Sequence, residues 1–216
     1  MIKPVIGIIG AGKLGITLGN LAVGGGYTTY ISASGSVEKI QMTIDILVPG
    51  AFVSTNQEIS EVADIIILAL PLSKYKTLKS ELFKGKIMID AMNYWWEVDG
   101  TSQVYSDADY SSSERVQDYF TQSKLVKAFN HIGYHNLADD ARLDSKENRK
   151  VVLVAGNDQE AVKEVEAIIE QVGFDPLSIG PLKNGRILEP GFPLFGASLG
   201  MADVKVVVNE SLEKIQ

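Results

Sequence analysis

The chain has 216 residues, 45% of them hydrophobic and 22% charged, with a formal net charge of −7 at pH 7, which fits an ordinary α/β protein and argues against a nucleic-acid-binding surface. It has no cysteine, so disulfides, thiolate metal sites and cysteine nucleophiles are excluded. No apolar run reaches the roughly 18 residues of a membrane span and no signal-peptide pattern is present, so we expect a cytoplasmic protein.

The first predicted strand runs directly into a glycine-rich turn. Residues 5–15, VIGIIGAGKLG, join an apolar run to a GxGxxG spacing, and a helical pattern follows. In a dinucleotide-binding βαβ unit these glycines permit a tight turn, close approach of a pyrophosphate and close helix packing, and the pyrophosphate lies on the helix N-terminus. The alternative is a glycine-rich turn without a ligand. The predicted pyrophosphate residues are Gly10, Gly12, Lys13, Leu14 and Gly15.

The second predicted strand, residues 28–32, ends where NAD and NADP are distinguished. An acidic residue roughly 20 positions beyond the glycines would bind the ribose of NAD, but this chain has SASGS at residues 32–36 and its next acid is Glu38, inside the following helix. Hydroxyls and glycine amides at a helix start, with no carboxylate to repel it, favour a phosphate. We therefore predict NADP(H), with the ribose phosphate bound by Ser32, Ser34 and Lys39. The alternative is a polar turn with Ser36 as a helix N-cap.

Strands and helices alternate along the rest of the chain. Predicted strands cover residues 51–54, 63–71, 125–129, 149–155 and 175–179, and residues 87–93 are predicted to hold the fifth strand and its exit loop. Predicted helices cover 37–48, 56–62, 72–83, 115–122 and 159–171, with a final helical stretch. The order predicts an α/β fold with a Rossmann-type, doubly wound, mostly parallel sheet in a single domain over residues 1–216. Ligands then bind beyond the carboxyl ends of strands one and four, so Leu70 and Pro71 are predicted to line the nicotinamide side.

A long polar loop, from about residue 88 to 112, carries Asn93, Tyr94, Trp95 and Trp96. Long loops at the carboxyl edge of a sheet are often functional. The aromatic cluster could form one wall of a binding site for a flat ring such as nicotinamide or a flavin-like acceptor, with Asn93 near that ring. The alternatives are that it covers the edge of the sheet or forms a subunit contact. At the end of the loop, the spacing of Ser111 and Glu114 predicts a capping box.

Both histidines follow the sixth predicted strand, in the segment Asn130-His131-Ile132-Gly133-Tyr134-His135. A zinc site needs a third ligand, and Gly133 interrupts a single helical face, so we predict no metal site. We predict instead a polar wall of the active cleft. Asn130 and His131 are the candidate catalytic residues, and His131 is the hypothetical proton donor.

Taken together, these motifs resemble the coenzyme F420 (deazaflavin)-dependent NADP oxidoreductase family. The resemblance rests on seven segments: VIGIIGAGKLG (5–15), the polar turn at 32–36, ADIIILALP (63–71), Ser-Ser-Glu at 112–114, LVKAFNHIGYHNL (125–137), VAGND (154–158) and GFDPLSIGPLKNGRILEP (173–190). It implies hydride exchange between NADPH and a flat acceptor, a deazaflavin or flavin, held in part by residues 130–132, with residues 180–216 completing the acceptor site. The nucleotide module also resembles the reductase domain of membrane ferric reductases.

Two departures from that family bear on ligand identity. Ala33-Ser34 stands where members often carry Ser-Arg, and Asn130-His131-Ile132 stands where a deazaflavin-type member reads His-Thr-Ile. A non-enzymatic NADP(H) sensor is the alternative of a different class, because the sequence shows no clear catalytic acid. The expected partner is a small-molecule redox acceptor, not a nucleic acid or a membrane, and a homodimer is the base-rate assembly.

Overall fold

The computed structural model describes residues 3–101 and 110–215, so part of the predicted 88–112 loop lies outside the described residues. Its strands are β1 Ile6–Ile9, β2 Thr29–Ser32, β3 Phe52–Val53, β4 Ile65–Leu68, β5 Ile87–Asp90, β6 Lys124–Lys127, β7 Val151–Gly156 and β8 Asp175–Ser178. Within these ranges the strands form one sheet in the order β3-β2-β1-β4-β5-β6-β7-β8. Only β7 runs antiparallel to its neighbour β6; the other pairs are parallel.

The α-helices are α1 Lys13–Gly24, α2 Val37–Leu47, α3 Asn56–Val62, α4 Trp96–Asp99, α5 Ser112–Tyr119, α6 Tyr134–Asp140, α7 Gln159–Gln171 and α8 Met201–Glu213. A further segment, Leu182–Leu188, is a 3-10 helix. The predicted capping box before α5 is confirmed, because the Ser111 side chain accepts from the N–H of Glu114 while the Glu114 side chain accepts from Ser111 N–H.

The α-helix predicted over residues 72–83 is wrong. Two 3-10 helices, Leu72–Thr77 and Ser80–Phe83, occupy this segment, and the backbone between them is extended. The buried side chains Leu72, Tyr75 and Leu78 recur every three residues. That spacing keeps a single face buried at the 3.0 residues per turn of a 3-10 helix, and it is easily read as one side of an α-helix.

The order of strands places the predicted switch point between β1 and β4. β1 pairs in parallel with β2 on one side and with β4 on the other, so Ile9 lies level with both Ser32 and Leu68. The segments that follow these strands therefore meet at one edge of the sheet. β5 and β6 end at the same edge, where Asp90 and Lys127 are partners in register. The predicted doubly wound, mostly parallel architecture is confirmed.

The sheet is buried because apolar elements cover both of its faces. All four residues of β4 are buried, as expected for a parallel strand between two helical layers. One core cluster joins β1, β4 and β6 to α1 and α7, and a second joins the opposite face to α3, α5 and the two 3-10 helices. A third cluster packs α8 and the segment around Leu182–Leu188 onto β7. The C-terminal segment is thereby brought back toward the carboxyl edge.

Candidate functional site

The turn after β1 has the geometry that the glycine spacing predicts. Gly10 has φ +122°, a conformation that side-chain-bearing residues rarely adopt, and a Cβ there would collide with the carbonyl oxygen of Ala69. A Cβ on Gly15 would collide with the carbonyl oxygen of Gly10. The first and third glycines are therefore required to bring β1, α1 and the exit of β4 into close contact.

Gly12 differs from the other two glycines, because a Cβ on it would meet no atom within 4 Å. It is the N-cap of α1, has an extended backbone and provides no side-chain cap, and the first turn of α1 has no acidic residue. The N–H groups at the start of a helix have no partners within the helix and carry a partial positive charge. This open, uncapped helix end fits a pyrophosphate. Lys13 lies beside it, with its Nζ 5.4 Å from the ring centroid of Tyr134.

A cavity of about 320 Å³ lies beyond the end of β2, in the position expected for the ribose phosphate. Ser34 is exposed and lines it, and Lys39 lies next to Gly35 at its edge. Ser32 is buried instead, and its hydroxyl donates to Asn56 Oδ1 at 2.5 Å. Because that proton is already used, Ser34 and Lys39 are better placed than Ser32 to bind a phosphate. The lining residues are Ala33, Ser34, Gly35, Val37, Ile40, Ser54, Thr55 and Asn56.

The expectation of no carboxylate at this turn needs correction. The carboxylate of Glu38 accepts a hydrogen bond from the Ser36 hydroxyl, which lowers the pKa of Glu38 below its usual range. An ionised acid therefore lies in the first turn of α2, where it stabilises the helix. Ser36 stands at the N-cap position but makes no side-chain cap of its own. A bound phosphate would have to share this helix end with Glu38.

Asn93 and Asn130, predicted separately, are brought together at the exits of β5 and β6. Asn93 Nδ2 donates to the backbone oxygen of Asn130 at 2.7 Å, and Asn130 Nδ2 donates to Asn93 Oδ1 at 3.0 Å and to the backbone oxygen of Leu188 at 2.9 Å. Asn130 is 4% exposed, and its Oδ1 has no hydrogen-bond partner in the described part of the chain. A buried acceptor without a donor is costly.

His131 is buried between the segment after β6 and strand β7, so it does not line a cleft. It is 1% exposed, and its Nε2 accepts the N–H of Leu153 on β7 at 3.0 Å. Burial lowers the pKa of His131 to about 4, against a weaker opposite effect of the Leu194 and Ala197 carbonyls. A buried imidazole that is neutral at pH 7 has no proton to give through Nε2. These contacts favour a structural role, and they argue against the predicted proton donor and the predicted polar cleft wall.

The aromatic loop after Asn93 is held at both ends. One oxygen of Asp99 accepts the N–H of Ser73, just after β4, at 2.8 Å, and the other accepts the N–H of Trp95 at 2.9 Å. The Trp95 ring packs edge-on against Phe195 with centroids 5.5 Å apart. Trp95 nevertheless stays 45% exposed and Trp96 61% exposed. The loop thus presents two indole rings to solvent between the β4 exit and the C-terminal segment.

Two polar contacts at this edge were missed by the sequence reading. Asp90 and Lys127, each 0% exposed, form an ion pair with Nζ–Oδ2 3.2 Å. Glu189 Oε1 accepts both the N–H and the hydroxyl of Ser112, at 2.8 and 2.7 Å. The only signal for the first was a charged residue inside each of the largely apolar predicted segments 87–93 and 125–129. The second joins residues far apart in sequence, which no local pattern marks.

Replacing Glu189 by alanine is expected to lower the free energy of unfolding by about 1–2 kcal/mol, because the first-turn N–H of α5 loses its acceptor. Urea unfolding followed by circular dichroism measures this. Glu147→Ala, at an exposed loop position, is the control. Equal unfolding free energies for both variants would show that the C-terminal segment does not depend on this contact.

Comparison with known proteins identifies the N-terminal half of the site. Residues 5–94, which hold the glycine turn, the exit of β4 and Asn93, match the family described as NADP oxidoreductase, coenzyme F420-dependent. The match covers less than half of the chain. The F420-dependent NADP reductase of Methanocaldococcus jannaschii is 34% identical over 152 residues, which are 64% of this chain and 63% of that protein. Metalloreductase STEAP3 of Rattus norvegicus is 27% identical over 188 residues, 86% of this chain and 36% of that protein.

The chain therefore spans less than two thirds of the length of these two relatives. Among solved structures, a hypothetical protein of Sinorhizobium meliloti, SMa0349, superposes with a TM-score of 0.78 at 25% identity, covering 91% of this chain and 95% of that one. Within residues 3–101 and 110–215, no helix is long and apolar enough to cross a membrane. The same ranges contain no group of three or more His, Asp or Glu side chains suited to a metal ion.

Proposed function

We propose that this protein is an NADPH-dependent reductase that passes a hydride between the nicotinamide and a flat acceptor of the deazaflavin or flavin class. The observation that carries the proposal is the open, uncapped N-terminus of α1 at Gly12, at the switch point of the sheet. Phosphate binding at such helix ends is general. The family match over residues 5–94 supports the same cofactor.

Each part of the site has a distinct task in this proposal. NADPH supplies the hydride chemistry, and the protein supplies binding and orientation. Backbone amides of Gly12, Lys13, Leu14 and Gly15 hold the pyrophosphate, whereas Gly10, whose N–H donates to the Ser32 carbonyl at 2.8 Å, shapes the turn. Ser34 and Lys39 hold the ribose phosphate, and Leu70 and Pro71 line the nicotinamide side. Asn93 and Asn130 orient the nicotinamide or the acceptor, whose ring rests on Trp95. Holding two rings in register contributes several kcal/mol, roughly the lower part of the range for oriented reactants.

The site offers no exposed acid at the position where the sequence placed one, because His131 is buried and neutral. Hydride transfer to a deazaflavin or flavin needs little side-chain proton transfer, so this arrangement suits such an acceptor. The same observation also favours a second candidate, an NADP(H) sensor that binds cofactor without turnover. A cytoplasmic location and a homodimer stay predictions from the sequence.

The test is NADPH oxidation by the purified protein with a deazaflavin, FMN, FAD and small quinones in turn, and with NADH in parallel. We expect turnover with NADPH and one ring acceptor. Tight NADPH binding without turnover on any acceptor would favour the sensor. Binding of neither nucleotide would contradict both candidates.

Replacing Ser34 by aspartate is expected to weaken NADPH binding by about tenfold or more while leaving NADH binding nearly unchanged, because the new carboxylate would face the ribose phosphate. Fluorescence titration with both nucleotides measures the ratio. Ser34→Asn has nearly the same shape without the charge and serves as the matched control. Equal losses of affinity for NADPH and NADH would show that the ribose phosphate does not bind at this turn.

A further inference from the structure

The buried ion pair at the ends of β5 and β6 lies directly behind the proposed acceptor site. Asp90 and Lys127 are the last residues of their strands and are partners in register. Both are 0% exposed, and Lys127 Nζ lies 3.2 Å from Asp90 Oδ2. The next residues of each strand lead within three positions to Asn93 and Asn130.

The pair holds both backbone polar groups of Met92. Asp90 Oδ1 accepts the N–H of Met92 at 3.0 Å, and Lys127 Nζ donates to the carbonyl oxygen of Met92 at 2.6 Å. Asp90 Oδ2 also accepts the hydroxyl of Ser113, in the first turn of α5, at 2.7 Å. The peptide groups on either side of Met92 are thus fixed to β6 and to α5, and Asn93 follows immediately.

Asn93 then completes a closed set of contacts with the other strand. Its side chain exchanges hydrogen bonds with the backbone oxygen and the Nδ2 of Asn130. Asn130 lies three residues after Lys127 and is also held by the Leu188 carbonyl. The buried charges therefore determine where the two amides stand, although neither charged group is exposed to the cleft.

Stability alone is a weak reason for such a pair. Removing two charges from water is expensive, and apolar replacements of similar size are often neutral or stabilising. Lys124, on the same strand, pairs with Asp158 at 3.0 Å on the surface, where ion pairs contribute little. The buried pair differs because both of its side chains hydrogen-bond to the backbone of Met92, the residue before Asn93.

We propose that Asp90 and Lys127 are positioning residues that set the geometry of the Asn93–Asn130 pair for hydride transfer. This inference rests on the proposed function and names, within that site, the groups that align the acceptor side. They act through Met92 and touch neither cofactor nor acceptor.

The test compares wild type with Asp90→Asn/Lys127→Met, which removes both charges together and nearly preserves their size. Lys124→Met makes the same lysine change at the exposed pair and is the control for loss of a lysine charge on β6. We expect cooperative unfolding and an NADPH Kd within about twofold of wild type. We expect kcat for deazaflavin reduction to fall about tenfold to 100-fold, since small misplacements of reacting groups cost this much. The deuterium isotope effect on kcat with [4,4-²H₂]NADPH is expected to rise.

A readout that does not depend on turnover is the exchange protection of the Asn93 and Asn130 side-chain NH₂ groups in NMR. We expect it to drop about tenfold in the double variant and to stay unchanged in Lys124→Met. If the double variant does not fold, Ser113→Ala removes one bond to Asp90 and is expected to give the same changes on a smaller scale, with NADPH affinity kept.

Unchanged protection of the two amides, or unchanged kcat and isotope effect in a folded variant, would overturn the inference alone. Parallel losses of kcat, NADPH affinity and stability would also overturn it, because they indicate a general structural role. A wild type that oxidises NADPH with none of the acceptors would instead overturn the proposed function, and the positioning role with it.

Discussion

Replacing Gly12 by aspartate is expected to weaken NADPH binding by at least about 100-fold without loss of stability. Gly12 has φ −79° and ψ −175°, which any residue adopts, and its missing side chain would point into open space. Aspartate is a better N-cap than glycine, so the free energy of unfolding is expected to rise by roughly a few tenths of a kcal/mol. The same carboxylate would occupy the amides of α1 and repel a pyrophosphate.

Calorimetric titration with NADPH and urea unfolding measure the two effects separately. Gly12→Ala adds a methyl group without the charge, so it is the matched control and is expected to lose much less affinity. Gly10→Ala and Gly15→Ala should behave differently, because their Cβ atoms would collide with backbone oxygens and destabilise the fold. Wild-type affinity in a folded Gly12→Asp protein would place the dinucleotide elsewhere.

The second large effect concerns His131 and pH. Its imidazole titrates near pH 6.5 in an unfolded chain, whereas burial lowers its pKa to about 4 in the fold. Between these values the unfolded state binds more protons, so the free energy of unfolding falls as the pH falls, by up to about 3 kcal/mol. Above pH 6.5 both states are neutral, and this group contributes no further pH dependence.

Urea unfolding of wild type and His131→Gln from pH 7.5 to 4.5 isolates this contribution, since the carboxylates are common to both. Glutamine still has an oxygen that can accept the Leu153 N–H, so we expect a flatter pH dependence and NADPH oxidation within about threefold of wild type. His135→Gln, at an exposed site, is the control for loss of an imidazole. If the free energy of unfolding depends on pH identically in wild type and His131→Gln, the lowered pKa of His131 is contradicted. If the variant keeps its stability but loses turnover, His131 has a catalytic role.

Local sequence patterns predicted most of the secondary structure. The boundaries of α3 and α7 agree with the predicted residues 56–62 and 159–171, since clear caps and apolar spacing define both. The mostly parallel sheet follows from the alternation of strands and helices, and the switch point follows from the glycine turn directly after β1. The failure at residues 72–83 arises because three-residue and 3.6-residue apolar spacings are hard to separate over two turns.

The site was predictable where backbone geometry determines it and not where distant segments meet. A Cβ would collide with backbone atoms at Gly10 and Gly15 and would meet open space at Gly12, as the GxGxxG spacing implies. His131 appeared polar and available in the sequence, but β7 and residues 194–197 cover it. The Asp90–Lys127 pair is likewise a product of strand register and of α5 packing on Asp90 through Ser113. Such contacts depend on long-range assembly that periodicity does not encode.

The most direct measurement is the fate of deuterium when wild-type protein oxidises [4,4-²H₂]NADPH, labelled at both C4 positions, with a deazaflavin acceptor in ordinary water. The hydrogen atoms on the carbon of a deazaflavin that accepts the hydride do not readily exchange with solvent. Deuterium found on that carbon therefore reports direct transfer from NADPH. We predict deuterium in the reduced acceptor from NADPH, with much slower reaction from labelled NADH. Reduced acceptor without label, or no reduction with NADPH bound, would contradict direct hydride transfer at this site.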